Sequence, residues 1–235
     1  MVRIAFFGTP AFAVPSLERL LAEGEEAVVV VTQPDRPRGR GHHVKPSPVK
    51  VTASAHNIPI LQPEQARDPQ FARKLATYDA ELGVVVAYGQ ILPDVILNTP
   101  AAGLINVHAS LLPRYRGASP IQRAIIAGER ETGITMIRLI REMDAGPVLA
   151  RLTRPINNDE TSEELENSLA LLGANLLQST VRAIASGYLQ EEPQNDALAT
   201  FAPRITKEEG RIDCNKPARS IHNLVRGTSP WPRAF

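Results

Sequence analysis

The sequence predicts an α/β fold, a doubly wound and mostly parallel sheet with helices on both faces. Three observations carry that expectation. Short apolar runs alternate along the chain with stretches whose apolar residues recur at helical spacing. One run, Val28-Val29-Val30-Val31, is continuous rather than alternating, as in strands covered on both faces. The first run closes on Gly8-Thr9-Pro10, a tight turn that suits a strand-to-helix crossover.

The elements follow in order. Residues 2–7 form a central strand, and residues 12–22 place Val14, Leu17, Leu20 and Leu21 on one helical face before Gly24 ends it. Residues 27–32 make a second strand, and helical patterns return at 49–56 and 71–76. Further strands are predicted at 82–87, 104–108, 134–139 and 148–152, with a helix over 121–127. A long helix covers 162–186. Residues 190–202 are polar and read as a linker, and 220–225 suit a short helix. The ending Pro230-Trp231-Pro232-Arg233-Ala234-Phe235 carries aromatics without a polar tail, so truncation is expected there.

Bulk properties narrow the function. The 235 residues are 43% hydrophobic and 22% charged, as in a globular protein, and no apolar run nears the roughly 20 residues that span a bilayer. A net charge of +1 gives no global reason to bind nucleic acid, so such binding must rest on a local patch. The one cysteine, Cys214, excludes an internal disulfide framework and fits a reducing, cytoplasmic setting. Gly8-Thr9-Pro10 lacks the repeated glycines of a dinucleotide site. No Cys or His spacing suggests a metal, and no Gly-x-Ser-x-Gly elbow supplies a serine nucleophile.

The segment Leu104-Ile105-Asn106-Val107-His108 carries the most chemistry. Side chains two apart on a strand share a face, so Asn106 and His108 can converge on one small target. In open α/β sheets ligands sit beyond the carboxyl ends of the strands, where the turns at Tyr88-Gly89-Gln90 and Met143-Asp144-Ala145-Gly146 are also placed. An amide, an imidazole and a carboxylate there could polarise a carbonyl and move a proton. Each alone also fits a plain role: Asn-x-His as part of a strand, and Asp144 as a turn residue. A second feature, residues 33–50, holds five basic residues against one acid, with glycines and prolines that oppose regular structure. It reads either as a solvated loop or as an arm that grips phosphates.

These residues, together with Phe7-Gly8-Thr9-Pro10, the run Gln33-Pro34-Asp35-Arg36-Pro37-Arg38-Gly39-Arg40-Gly41, Pro46-Ser47-Pro48-Val49-Lys50, Ser110-Leu111-Leu112-Pro113 and Arg116-Gly117-Ala118, closely resemble the folate-dependent formyltransferase family along essentially the whole chain. The basic run points to its tRNA-acting branch. The resemblance implies a Rossmann-like fold with residues 1–189 as the catalytic domain and 190–235 as a linker and the start of a shortened C-terminal region. It implies 10-formyltetrahydrofolate as co-substrate without a metal, and the α-amino group of methionyl initiator tRNA as acceptor. Asn106, His108 and Asp144 would be catalytic, with Asp144 holding His108 in its charged form. Tyr88, Gly89, Gln90, Ile91, Leu92, Ser110, Leu111, Leu112 and Pro113 would line the pterin pocket. Arg36, Arg38, Arg40 and Lys45 would contact the acceptor stem. A cytoplasmic monomer with no membrane contact is expected. The rivals are N-formylation of an amino sugar nucleotide and an inactive folate- or RNA-binding α/β module.

Overall fold

The computed structural model describes residues 1–38 and 43–235. The first half of the chain forms β1 (Arg3–Gly8), α1 (Val14–Ala22), β2 (Glu26–Val31), β3 (Arg36–Arg38), β4 (His43–Lys45), α2 (Pro48–Ala55), β5 (Ile60–Leu61) and α3 (Pro69–Ala76). It continues through β6 (Leu82–Val86), α4 (Asp94–Leu97), β7 (Leu104–His108), α5 (Pro120–Ala127), β8 (Glu131–Arg138), β9 (Val148–Pro155), α6 (Ser162–Ala185) and α7 (Ala218–Gly227).

Seven strands make the main sheet in the order β5-β2-β1-β6-β7-β8-β9. The strands β5, β2, β1, β6 and β7 run parallel, while β8 and β9 are antiparallel to their neighbours. Alternate residues feed two cores, as the strand period requires. Ile4, Phe6, Val84 and Ile105 pack with Leu17, Leu20, Leu169 and Leu177 on one face. Ala5, Phe7, Val85 and Leu104 pack with Phe71, Leu75 and Ile96 on the other. The continuous apolar runs exist because both faces are covered.

The helices begin where the sequence supplies caps. Ser47 Oγ accepts from Lys50 N at 3.0 Å and Asp68 Oδ1 from Gln70 N at 2.8 Å. Thr161 and Glu164 form a reciprocal capping box on α6. Such a cap contributes on the order of 1 kcal/mol. Gly173, in the middle of α6, lets that helix lie close against β7 and β8; a Cβ there would come 2.9 Å from Val107 Cγ1.

Three departures from the sequence reading have physical causes. The basic segment is not wholly irregular, because β3 and β4 pair antiparallel as Arg36↔Lys45, Pro37↔Val44 and Arg38↔His43. An isolated two-stranded ribbon has free edges, which is where a proline does least harm. Its root is fixed by Asp35, which accepts from Lys50 Nζ at 2.5 Å and Gln62 Nε2 at 2.8 Å. Second, β5 and α4, of two and four residues, are too short to leave a periodic signal. Third, residues 190–202 do not hang free. Glu192 exchanges two backbone hydrogen bonds of 2.8 Å with Val148, and Ala202 N donates to Arg116 O at 2.7 Å.

The close seat of α6 on β7 has a testable consequence. Gly173→Leu should lower the unfolding free energy by about 1–3 kcal/mol through overpacking against Val107 and Ile134. A urea midpoint equal to that of the parent would show that α6 has slack there.

Candidate active site at the head of β7

The chain turns one way out of β1, to β2 and β5, and the other way into β6 and β7. The crevice beyond the carboxyl ends of β1, β6 and β7 is therefore the place where loops diverge and a ligand fits. A cavity of about 430 Å³ opens there, walled by Pro10 after β1, Ala87 and Gly89 after β6, Asn106 and His108 on β7, and Ala109 just after it.

Asn106 and His108 share a face of β7, opposite Ile105 and Val107, which belong to the α6 side of the core. Asn106 is half-buried, and among the described residues its side-chain amide meets no hydrogen-bond partner. His108 is only 5% exposed. Its Nε2 lies 2.9 Å from the Tyr115 carbonyl oxygen, which can only accept, so Nε2 carries a hydrogen. Nδ1 then faces Asp144, whose Oδ2 is 3.6 Å away.

Asp144 reaches that place by an unusual path. Because β8 is antiparallel to β7, Arg138 at its exit is level with Ile105, while His108 is level with Thr135. Residues 139–147 must therefore fold back to bring the acid level with the imidazole. Asp144 adopts φ +51°, a left-handed conformation that aspartate tolerates better than most residues. Gly146 lies so close to the Arg138 carbonyl that a Cβ would overlap it. The carboxylate is aimed by the Gly117 backbone N–H, which donates to Oδ2 at 2.8 Å.

The other expected residues scatter. Gly89 lines the cavity. The Tyr88 ring is 2% exposed and packs edge-on against Phe7, with burial pushing its phenol up to about 12. Its carbonyl oxygen accepts from Thr9 Oγ1 at 2.9 Å and Gln33 Nε2 at 3.2 Å. The Gln90 side chain ties down Ala66 N at 2.7 Å, Ile91 is 83% exposed, and Leu92 packs at the edge of the second core. Ser110 is buried with its hydroxyl donating to Arg114 O at 2.7 Å, and Leu112 is buried with Ile137 and Val148. Leu111 and Pro113 are half-buried. Thr135 fixes this turn, accepting from Leu112 N at 3.1 Å and donating to Ser110 O at 2.6 Å. Arg36 and Lys45 are exposed on the ribbon; Arg40 and the Arg38 side chain lie outside the described residues.

Three polar side chains at the site escaped the sequence reading, Gln122 on α5 among them. Gln194 hydrogen-bonds to the Asp144 loop, and Glu166 reaches the cavity from α6. Burial, and then the nearby Glu163 charge, push the Glu166 carboxyl above its ordinary range. Only its spacing on α6, one residue after the buried Leu165, hinted at a position beside the core. Among the described residues no group of three or more His, Cys, Asp or Glu could hold a metal ion, and no helix is long and apolar enough to cross a membrane.

The fold and this crevice define a class, and the chain belongs to the formyl transferase family. That family's sequence pattern matches residues 2–181, and the pattern of the formyl transferase C-terminal domain matches residues 204–235. The chain is 49% identical over 231 residues to the methionyl-tRNA formyltransferase of Pelobacter propionicus, covering 98% of this chain and 72% of that protein. It is also 49% identical over 234 residues to the methionyl-tRNA formyltransferase of Halalkalibacterium halodurans, covering 100% and 74%. The same fold occurs in an N-formyltransferase from Helicobacter canadensis, solved with folinic acid and dTDP-3-aminofucose. That structure matches at a TM-score of 0.76 and 21% identity, over 97% of this chain and 80% of the other.

The Glu166 environment gives a signed pH prediction. A carboxyl raised in the native state holds its proton more tightly than in the unfolded chain, so stability falls as pH rises from the ordinary carboxylate range. Glu166→Gln should melt higher than the parent at neutral pH, and the gap should close below about pH 4. A gap that stays constant across a thermal-unfolding pH series would exclude the buried charge as its cause.

Proposed function

We propose that this protein transfers a formyl group from 10-formyltetrahydrofolate to the α-amino group of methionyl initiator tRNA. The observation that carries the chemistry is the convergence of an amide without a partner among the described residues, an imidazole and a carboxylate in one crevice. The acceptor is supported by 49% identity to methionyl-tRNA formyltransferases over nearly the whole chain. Folate as donor is supported by the family and by folinic acid in the related N-formyltransferase structure. Here residues 1–189 serve as the catalytic domain, with 190–235 leading from it into the C-terminal region.

The reaction needs three things from these residues. An amine nitrogen attacks the formyl carbon, and the formyl oxygen gains negative charge. The Asn106 amide donates to that oxygen, and so does His108 through Nδ1 when the ring carries a second proton. A buried donor of this kind is worth about 10²–10³ in rate. As the intermediate collapses, the bond from the formyl carbon to the folate nitrogen breaks. The proton lost by the amine must end on that nitrogen. Asp144, whose charge steadies the imidazolium before the proton moves, takes that proton as the amine adds, directly or through water. It returns the proton to the folate nitrogen as the carbon–nitrogen bond breaks.

The donor fits the crevice by the chemistry of its walls. Gly89 leaves backbone close to the cavity without a side chain, and Asn106 lines it with an amide that has no partner among the described residues. Tyr88, Gln90, Ile91, Leu92 and Ser110, Leu111, Leu112, Pro113 shape the two loops that would border the pterin, mostly by holding backbone in place. Arg36, Arg38, Arg40 and Lys45 would meet acceptor-stem phosphates, a sequence-independent attraction that weakens with salt.

The decisive assay offers 10-formyltetrahydrofolate with either methionyl initiator tRNA or an amino sugar nucleotide to the parent and to His108→Ala. Transfer should occur to the tRNA alone, with His108→Ala slower by at least about 10² at unchanged melting temperature. Preferential transfer to the sugar, or an active His108→Ala, would overturn the reading.

A further inference from the structure

We propose that Gln194 is a positioning residue for Asp144: one side-chain amide fixes both the loop that carries the acid and the residue beside the N–H that aims it. Both hydrogens of its amide nitrogen are used. Nε2 donates to Asp144 O at 2.8 Å and to Gly146 O at 2.7 Å, on either side of the left-handed turn. Its Oε1 accepts from Arg116 Nε at 3.1 Å and from Nη2 at 2.8 Å.

Arg116 is 7% exposed and directly precedes Gly117, whose N–H grips the Asp144 carboxylate. The Arg116 backbone is held in turn. Its N–H donates to Thr200 O at 2.8 Å, and its carbonyl accepts from Ala202 N at 2.7 Å. Gly117 itself has φ +121° and lies against Ala202, where a Cβ would stand 2.9 Å from the carbonyl oxygen. The strap from Gln194 to Ala202 therefore closes a ring through Arg116, Gly117 and Asp144. Within this ring the Asp144 loop is fixed to a segment about 50 residues later in the chain.

A buried arginine also needs acceptors, so a purely structural role for Gln194 would be to seat Arg116 alongside Asp196 Oδ1, which is 2.7 Å from Nη2. The two roles separate by chemistry. Glutamate at 194 keeps an acceptor for Arg116 but turns two donors into a charged oxygen facing two carbonyls. Methionine keeps the length and removes every polar contact without adding charge.

This inference rests on the formyl-transfer reading for its kinetic arm, so a second readout is independent of activity. Gln194→Glu and Gln194→Met in the full chain are compared with the parent for kcat, for the KM toward the formyl-folate donor, and for the NMR titration of the His108 ring. Asp144 and Glu166 are the titratable side chains sharing the cavity with His108 among the described residues. Gln194→Met leaves both of them and adds no charge, so a change in the His108 titration reports movement of Asp144. Both variants should lose about 10- to 100-fold in kcat, as a displacement on the ångström scale does, with the donor's KM held within about twofold. The His108 titration should differ from the parent in Gln194→Met. Parental kcat in Gln194→Glu, together with an unchanged His108 titration in Gln194→Met, would overturn the proposal and leave Gln194 as a seat for Arg116. A parent that transfers no formyl group would sink the formyl-transfer reading instead, and the titration would still decide the role of Gln194.

Discussion

The site depends on one backbone contact, the Gly117 N–H donating to the Asp144 carboxylate. Three strand positions separate Arg138, where the loop leaves β8, from the level of His108. At about 3.3 Å per residue the acid must be carried back roughly 10 Å across the sheet. The loop does so through a left-handed aspartate and a glycine pressed against the Arg138 carbonyl. A non-glycine residue in a sparsely populated backbone region costs about 1–3 kcal/mol and persists only where the surroundings hold it. Gly117 and Gln194 are those surroundings, each reaching in from a segment distant in sequence.

The rest of the fold serves to make that contact possible. The divergence of connections at β1 and β6 opens the crevice, and the glycine in α6 lets the helix press β7 into place beneath it. His108 is then oriented from two sides, by the Tyr115 carbonyl at Nε2 and by Asp144 toward Nδ1. The ring thus presents a defined tautomer to the cavity, which a histidine on a free loop could not do. Charge is arranged just as locally. The single acid of the basic segment, Asp35, is bound by Lys50 and Gln62, which hold its carboxyl below the ordinary range. That pairing makes Lys50 structural, while Arg36 and Lys45 stand exposed on the ribbon, a local basic patch despite a net charge of only +1.

What the sequence made legible follows the range of the interactions involved. The strands and long helices were readable because burial on both faces writes itself into continuous apolar runs and helical periodicity. Asn106 and His108 were readable because two residues on one strand share a face whatever else the chain does. Asp144 was different, since its spacing says nothing of a fold-back across an antiparallel strand. The sequence placed its turn at the strand ends, where it could equally be a plain turn residue, and only the family resemblance singled it out as the third member. Gln194 and Glu166 were invisible, one inside a polar stretch that resembles any linker, the other on an ordinary-looking helix. Their roles arise from contacts across tens of residues, which local pattern does not encode. Tyr88 shows the converse: its neighbours place it at a ligand turn, but its ring is large and apolar enough to be drawn into the core against Phe7.

The mechanism stands or falls on the charge of the Asp144 carboxylate. Asp144→Asn keeps an oxygen for the Gly117 N–H and nearly the same shape, while removing the negative charge and the proton acceptor. The direct measurement is the single-turnover rate of formyl transfer by this variant, with folate binding followed in the same samples. A rate lower by about 10²-fold or more, at parental folate affinity, is the predicted result. A rate close to that of the parent would contradict the mechanism outright.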